Sequence, residues 1–357
     1  MELTPRESAL FISEHSDHVK INRSAIPAVA QKLFDNLKSG VFGSSWDDHP
    51  MHPKAVGPST VNWYVVLCFY CDRLGIVWAD VEIFLIDSLN FSFWTDENIP
   101  KYVVTFRGTP HTGYMALCAA INRALEEGKN LLDANVLASL TLDDARSIFR
   151  SDDPNVEIPL LETRLQIMRE HASTLLSDYS GCFTKCIEAC HGSAAKLLKL
   201  VCEKFPSFSD KAVYKGRNVT FYKRGQILIA DLWLAFKGES YGHFDDIDSL
   251  TAFADYRVPQ VLAYFGVLHY DDELMQKLLK KEHLESGSVW EVEIRGACLE
   301  AVELIVQKTR ELFAEAGDER TRCNSILADN FLWLYRRQFA SEVEECMPMH
   351  RTRCIYY

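Results

Sequence analysis

Gly238-Glu239-Ser240-Tyr241-Gly242 has the G-x-S-x-G spacing of a nucleophile elbow. That motif works on a tight turn between a strand and a helix, which exposes the serine hydroxyl. Here a helical pattern precedes it and an Asp-rich stretch follows, so its neighbours favour a solvated loop. Cys182, Cys186 and Cys190 stand four residues apart, which would place three thiols on one helix face, with His191 beside the last. A zinc or iron–sulfur site asks for closely spaced pairs or a known cluster pattern, and three small buried side chains account for the spacing as well. No strand-linked G-x-G-x-x-G and no P-loop motif occurs, so dinucleotide and P-loop chemistry lack support. Cys298 lies inside a helical stretch and reads as packing rather than as a nucleophile.

The elements that would position these residues are mostly helical. Thr4-Pro5-Arg6-Glu7 has the cap, the first-turn proline and the returning acid of a capping box. A second helix follows Ser24, with Ile26, Val29, Ala30, Leu33, Phe34 and Leu37 on one face and Gly40 ending it. Periodicity predicts further helices over 112–127, 132–139, 142–149, 159–178, 181–190, 193–204, 223–237, 258–267, 271–281, 290–315 and 323–339. Phe91–Trp94 and Tyr102–Phe106 predict a short hairpin, and 215–222 a brief strand. Strands and helices do not alternate, which argues against a doubly wound sheet. The expected fold is mainly α: a single compact helical domain over residues 1–357 with a small β element.

The 357 residues suffice for one large domain or two ordinary ones, and 48% apolar with 25% charged residues is a globular composition. The net charge of −12 argues against a partner made of nucleic acid. The longest apolar run, Val61–Tyr70, is too short to span a bilayer, so no membrane partner is expected. Eleven cysteines without a secretory signal read as reduced thiols in the cytoplasm.

Six blocks resemble one family. They are Leu89-Asn90-Phe91-Ser92-Phe93-Trp94, Gly113-Tyr114 through Arg123-Ala124, Phe221-Tyr222-Lys223-Arg224, Thr251 through Leu262 around Ala254-Asp255-Tyr256-Arg257, Glu291 through Gly296, and Arg353 through Tyr357. In this order they are similar to the queuosine 5'-phosphate N-glycosylases, the queuosine salvage proteins. The resemblance implies a helical fold related to DNA glycosylases and hydrolysis of the ribose–base bond of a small molecule, queuosine 5'-phosphate. It implies no metal and no organic cofactor, and a monomer is expected. The alternatives are a nucleobase glycosylase acting on DNA or RNA, and a non-catalytic helical scaffold.

Breaking an N-glycosidic bond builds positive charge on the ribose, and a carboxylate beside the anomeric carbon stabilises it. Asp255 is the candidate; by its position alone, before a proline-containing helix start, it fits a plain cap or turn acid equally. A base pocket needs aromatic faces and polar groups for the base edge. Phe91, Trp94, Phe253 and Trp333 could supply the first, with ordinary core as the alternative. Asn90, which both donates and accepts, and Asp329, an acid in an apolar helix, could supply the second. Tyr256 falls within the same block as Asp255. His52 resembles a ligand-binding histidine of the family, and Lys223 and Arg257 are further cations for the phosphate. Residues 64–82 depart from the family pattern: without them Trp63 would run directly into Ile83, so they are expected to be an insertion or an unspliced intron. Leu334 stands where some relatives carry an acid.

Overall fold

The computed structural model describes residues 2–39, 79–96, 98–318 and 321–357. Its helices and strands, in chain order, are α1 (Pro5–His15), β1 (Val19–Ile21), α2 (Ile26–Ser39), α3 (Ala79–Ser88), β2 (Val103–Phe106), β3 (Thr109–Thr112), α4 (Tyr114–Glu126), α5 (Ala134–Ser139), α6 (Leu142–Ile148), α7 (Leu161–Tyr179), α8 (Thr184–Glu188), α9 (Ala194–Lys204), β4 (Lys211–Tyr214), β5 (Arg217–Thr220), α10 (Lys223–Ala235), α11 (Val258–Tyr264), β6 (Leu268–Tyr270), α12 (Asp272–Leu279), α13 (Val289–Glu315), α14 (Ser325–Gln338) and α15 (Ala340–Cys346). The chain is mainly helical, as its periodicity predicts, and each predicted helix is present within three residues of its expected ends. The capping box at Thr4 and Glu7 forms as the sequence indicates. No described helix is long and apolar enough to cross a membrane.

The β structure differs from expectation. Val103–Phe106 pairs not with Phe91–Trp94 but with Thr109–Thr112, across Arg107-Gly108. Both turn residues have positive φ, 47° and 82°, the geometry that closes a two-residue hairpin. Phe91–Trp94 forms no strand; it is an irregular, largely buried loop. The strand at Arg217–Thr220 pairs with Lys211–Tyr214, and β1 pairs with the distant β6, a contact that periodicity did not suggest. The thiols of Cys182, Cys186 and Cys190 do not share a helix face, because α8 is short and holds Cys186 alone.

The chain divides into two compact units. The first comprises Met1–Pro50, Asp210–Gln226 and Ile247–Cys354. Its core is built on the long helix α13, against which α1, α2, α11 and α14 pack. Glu293 on α13 accepts hydrogen bonds from Ser16 Oγ (2.6 Å), the amides of Asp17 (3.0 Å) and His18 (2.7 Å), and Tyr214 Oη (2.7 Å). A Cβ at Gly296 would lie 2.4 Å from Ile12 Cγ2 of α1, so glycine is what lets the two helices approach. Gly296→Ala should therefore cost stability, about 1–3 kcal/mol of overpacking, against about 1 kcal/mol regained in helix propensity. A urea midpoint equal to or above wild type would refute this close contact.

The second unit comprises Met51–Ser209, Ile227–Asp246 and Ile355–Tyr357. In it α7 packs on α3, α5 and α6, and the β2–β3 hairpin packs on α4. Phe84, Phe183, Phe205 and Phe208 cluster around His171, which bridges Ser88 Oγ (2.8 Å) and Ser207 Oγ (2.9 Å). The nucleophile-elbow spacing at Gly238–Gly242 follows α10 directly and lies in a short 3₁₀ turn, with no strand before it. Gly242 is required there by packing: an added Cβ would fall 2.5 Å from the Leu232 carbonyl oxygen.

Candidate active site

The first unit carries its chemistry on Thr251–Arg257, a mostly buried segment with no regular structure. A buried irregular backbone must find hydrogen-bond partners outside helices and sheets. Here three neighbours and one of the segment's own side chains supply them. Gln226 accepts from the Thr251 amide (2.7 Å) and donates to Thr251 Oγ1 (2.8 Å). Asp329 of α14 accepts from the Phe253 amide (2.8 Å). Arg295 of α13 donates from Nε to the Ala254 carbonyl (3.0 Å). Asp255 turns back on its own chain and accepts from the amides of Arg257 (2.6 Å) and Val258 (2.9 Å) through Oδ1.

Arg295 is almost fully buried and has its charge matched. Its two terminal nitrogens grip both oxygens of Asp210, at 2.9 and 2.5 Å, and Nη1 also reaches Glu291 at 3.2 Å. Its guanidinium lies 4.0 Å from the centre of the Phe221 ring. Burial and the Arg295 charge push the His350 imidazole down to about 3, so that ring stays neutral. Asp210 also accepts from the Lys223 amide (3.2 Å) through Oδ2, which ties the start of α10 to the same pair.

Two acids converge on this segment. Asp255 is half-buried, and its Oδ1 holds the turn before α11 through the amides of Arg257 and Val258, which fits the turn-acid reading of its sequence position, while the N-cap itself is Arg257. Asp329 is buried. Burial pushes its carboxyl well up from the usual range, and the charge of Asp255 pushes it further, against the Phe253 amide and the Lys223 charge. Lys223 is itself buried. Cys298, one turn after Arg295, is fully buried; burial first, then the charges of Asp329 and Asp255, keep its thiol protonated, which suits packing and not nucleophilic attack.

The raised carboxyl at Asp329 has a signed consequence. Its ionised form is disfavoured in the folded chain, so its contribution to stability is full below the ordinary carboxyl range and declines as pH rises through about 4 toward the raised value. Asp329→Asn cannot ionise and keeps an oxygen for the Phe253 amide. The stability of wild type relative to this variant should therefore fall between pH 4 and neutrality in urea titrations. A difference independent of pH would contradict the assignment.

Trp333 lies one turn beyond Asp329 on α14, half-buried, with Arg337 over its ring at 4.9 Å. Phe253 is half-buried beside the Asp329 hydrogen bond, and Tyr256 is buried under the Arg257 guanidinium. Arg257 is engaged by Glu344 (3.3 Å), which also pairs with Arg336. The structure thus brings Asp255, Asp329, Lys223, Phe253 and Trp333 into one region of the first unit.

Asn90, Phe91 and Trp94 belong to the second unit, where all three are buried. Asn90 Nδ2 lies 3.4 Å from Asp87 Oδ1. His52 and residues 64–78 lie outside the described residues; of the remainder of 64–82, Glu82 is buried, and burial pushes its carboxyl up to about 8. Sequence reasoning assigned no role to Arg295, Asp210, Gln226 or Arg164. Their targets are backbone atoms or partners far along the chain, and the one available signal was that Arg295 stands within an apolar helix.

The fold and this site define a mainly helical protein with a paired-carboxyl centre on a tethered irregular segment. The chain belongs to the queuosine salvage protein family, whose model matches residues 80–357. It is 41% identical over 355 residues to a protein of Mus musculus and 42% identical over 358 residues to one of Bos taurus, with 99% of each chain covered. A protein of Schizosaccharomyces pombe is 37% identical over 369 residues, covering 98% of this chain and 99% of its own. All three are named queuosine 5'-phosphate N-glycosylase/hydrolase.

Proposed function

We propose that the chain hydrolyses the N-glycosidic bond of queuosine 5'-phosphate, releasing queuine and ribose 5-phosphate. The observation that carries this reading is the Asp255–Asp329 arrangement on a segment held by Gln226, Arg295 and Asp329. As the bond from ribose to base nitrogen breaks, positive charge grows at the anomeric carbon, and Asp255 stabilises it. Water adds its oxygen to that carbon and yields one proton, while the base nitrogen gains one. Queuine is a 7-deazapurine and offers no N7 for protonation, so stabilising the cation and hydrogen-bonding the base carry more of the work. Asp329, whose burial favours the protonated form, can offer a donor as well as an acceptor to the base edge. Phe253, Trp333 and Tyr256 belong to base recognition on this reading, and Lys223 and Arg257 to the phosphate. The protein works in the cytoplasm as a monomer, on a small molecule rather than on nucleic acid or a membrane, without metal or organic cofactor. Residues 1–357 act as one glycosylase domain related to DNA glycosylases, with 64–82 an insertion or an unspliced intron.

The test is incubation of purified protein with queuosine 5'-phosphate and mass detection of queuine, with and without a chelator. Release of queuine that is indifferent to chelator is expected. No release would overturn the activity, and loss restored by one metal would overturn the metal-free chemistry.

A further inference from the structure

Two guanidiniums of the first unit crowd together just past Asp255. Arg257 follows that acid by two residues at the start of α11, and Arg336 stands on α14. α11, α14 and α15 pack on one another, and α15 carries Glu344. Glu344 Oε1 accepts from Arg257 Nη1 (3.3 Å) and from Arg336 Nη2. Gln260 Oε1 faces the same two side chains, 3.3 Å from Arg336 Nε and 3.5 Å from Arg257 Nη1. It is aimed there because Gln260 Nε2 donates to the Met347 carbonyl (2.7 Å).

The charges in this cluster do not cancel. Two cations share one carboxylate oxygen, and Gln260 is neutral. Arg336 is buried; burial first, and then the charge of Arg257, pull its guanidinium below the usual range. Burial pushes the Tyr256 phenol up, and three cations, Arg257, Arg336 and Arg353, oppose that shift. Glu344, by contrast, is 56% exposed on a short helix, so its carboxylate can turn away without opening the core. A pair of planar N–H forks that matches a carboxylate also matches a phosphate, which brings the second negative charge that Glu344 lacks. Asp329, Trp333 and Arg336 stand at i, i+4 and i+7 on α14 and so share a face. Seven residues of helix rise about 10 Å, the scale that separates base from phosphate in a nucleotide.

We propose that Arg257 and Arg336 form a phosphate-monoester site, and that Glu344 occupies it in the free protein as an internal stand-in that the incoming phosphate displaces. The identity of the nucleotide rests on the glycosylase reading above; the anion site does not.

Binding of inorganic phosphate and of ribose 5-phosphate is measured by calorimetry, beside turnover of queuosine 5'-phosphate and inhibition by the nucleoside queuosine. Glu344→Gln keeps the shape and an accepting oxygen but removes the competing charge. Both anions should bind it about 5-fold more tightly than wild type, the difference between a charged and a neutral hydrogen bond. KM for queuosine 5'-phosphate should fall with them, while the inhibition constant of queuosine stays. Arg336→Met should weaken both anions by about ten-fold or more, again without moving queuosine. A Glu344 that only braces α15 would lose stability on substitution and would not tighten a ligand. Unchanged or weaker anion binding in Glu344→Gln, or equal losses for nucleotide and nucleoside in Arg336→Met, would overturn the site. Should Arg336→Met fail to fold, the sign of the change in Glu344→Gln decides alone. Anion binding with these signs but no turnover of queuosine 5'-phosphate would sink the glycosylase reading and leave the phosphate site standing.

Discussion

Asp255→Asn should abolish most hydrolysis while leaving a folded protein that still binds substrate. The bound substrate carries little charge at its anomeric carbon, and the transition state carries much. A carboxylate there interacts more strongly with the transition state, which raises kcat without lowering KM. Asparagine keeps an oxygen able to accept the Arg257 and Val258 amides that Asp255 now holds, so the start of α11 should survive the change. What it removes is the charge. Loss of one preorganised electrostatic group costs on the order of 10²–10³ in kcat. Single-turnover rates with queuosine 5'-phosphate, beside equilibrium binding of the same ligand, measure both halves of the expectation. A variant that keeps more than about a tenth of wild-type kcat would show that Asp255 only holds the turn before α11.

Arg295→Met should produce the largest loss of stability. The substitution leaves Asp210 and Glu291 buried without their cation, frees the Ala254 carbonyl and removes the group stacked on Phe221. Breaking a buried pair by removing one partner costs about 3–5 kcal/mol, far more than the pair itself contributes relative to apolar replacements. The urea midpoint should fall accordingly at an unchanged slope. Because Ala254 precedes Asp255, kcat should fall too under conditions where the variant is still folded. A loss below about 1 kcal/mol, the scale of an exposed ion pair, would mean that the Arg295–Asp210 contact does not hold the segment in place.

Helical periodicity made the framework legible, since a 3.6-residue repeat records which face each helix buries. It failed at Phe91–Trp94, where burial on every side gives an apolar run that resembles a strand. It also passed over Thr109–Thr112, an exposed strand containing a proline, and the pairing of β1 with β6. Within the site, Asp255 and Asp329 were visible as acids among apolar neighbours, but their pattern alone fits a cap and a helix acid. The resemblance of the surrounding block, not its spacing, singled out Asp255. The groups that hold the segment were not legible. Arg164 and Arg295 bind carbonyl oxygens, which every residue has, and no spacing rule links Arg295 to Asp210, 85 positions earlier.

The tethers of Thr251–Arg257 also fix when in folding the site can exist. Gln226 reaches Thr251 across 25 positions, Arg295 reaches Ala254 across 41, and Asp329 reaches Phe253 across 76. Contacts this distant along a chain form after local helices, because loop closure must precede them. A nascent chain that has not yet released α14 from the ribosome has its Asp255 but not the carboxyl that fixes Phe253. Substrate affinity should thus emerge only with the last long-range contacts, so that a bound nucleotide favours completed molecules over partly folded ones.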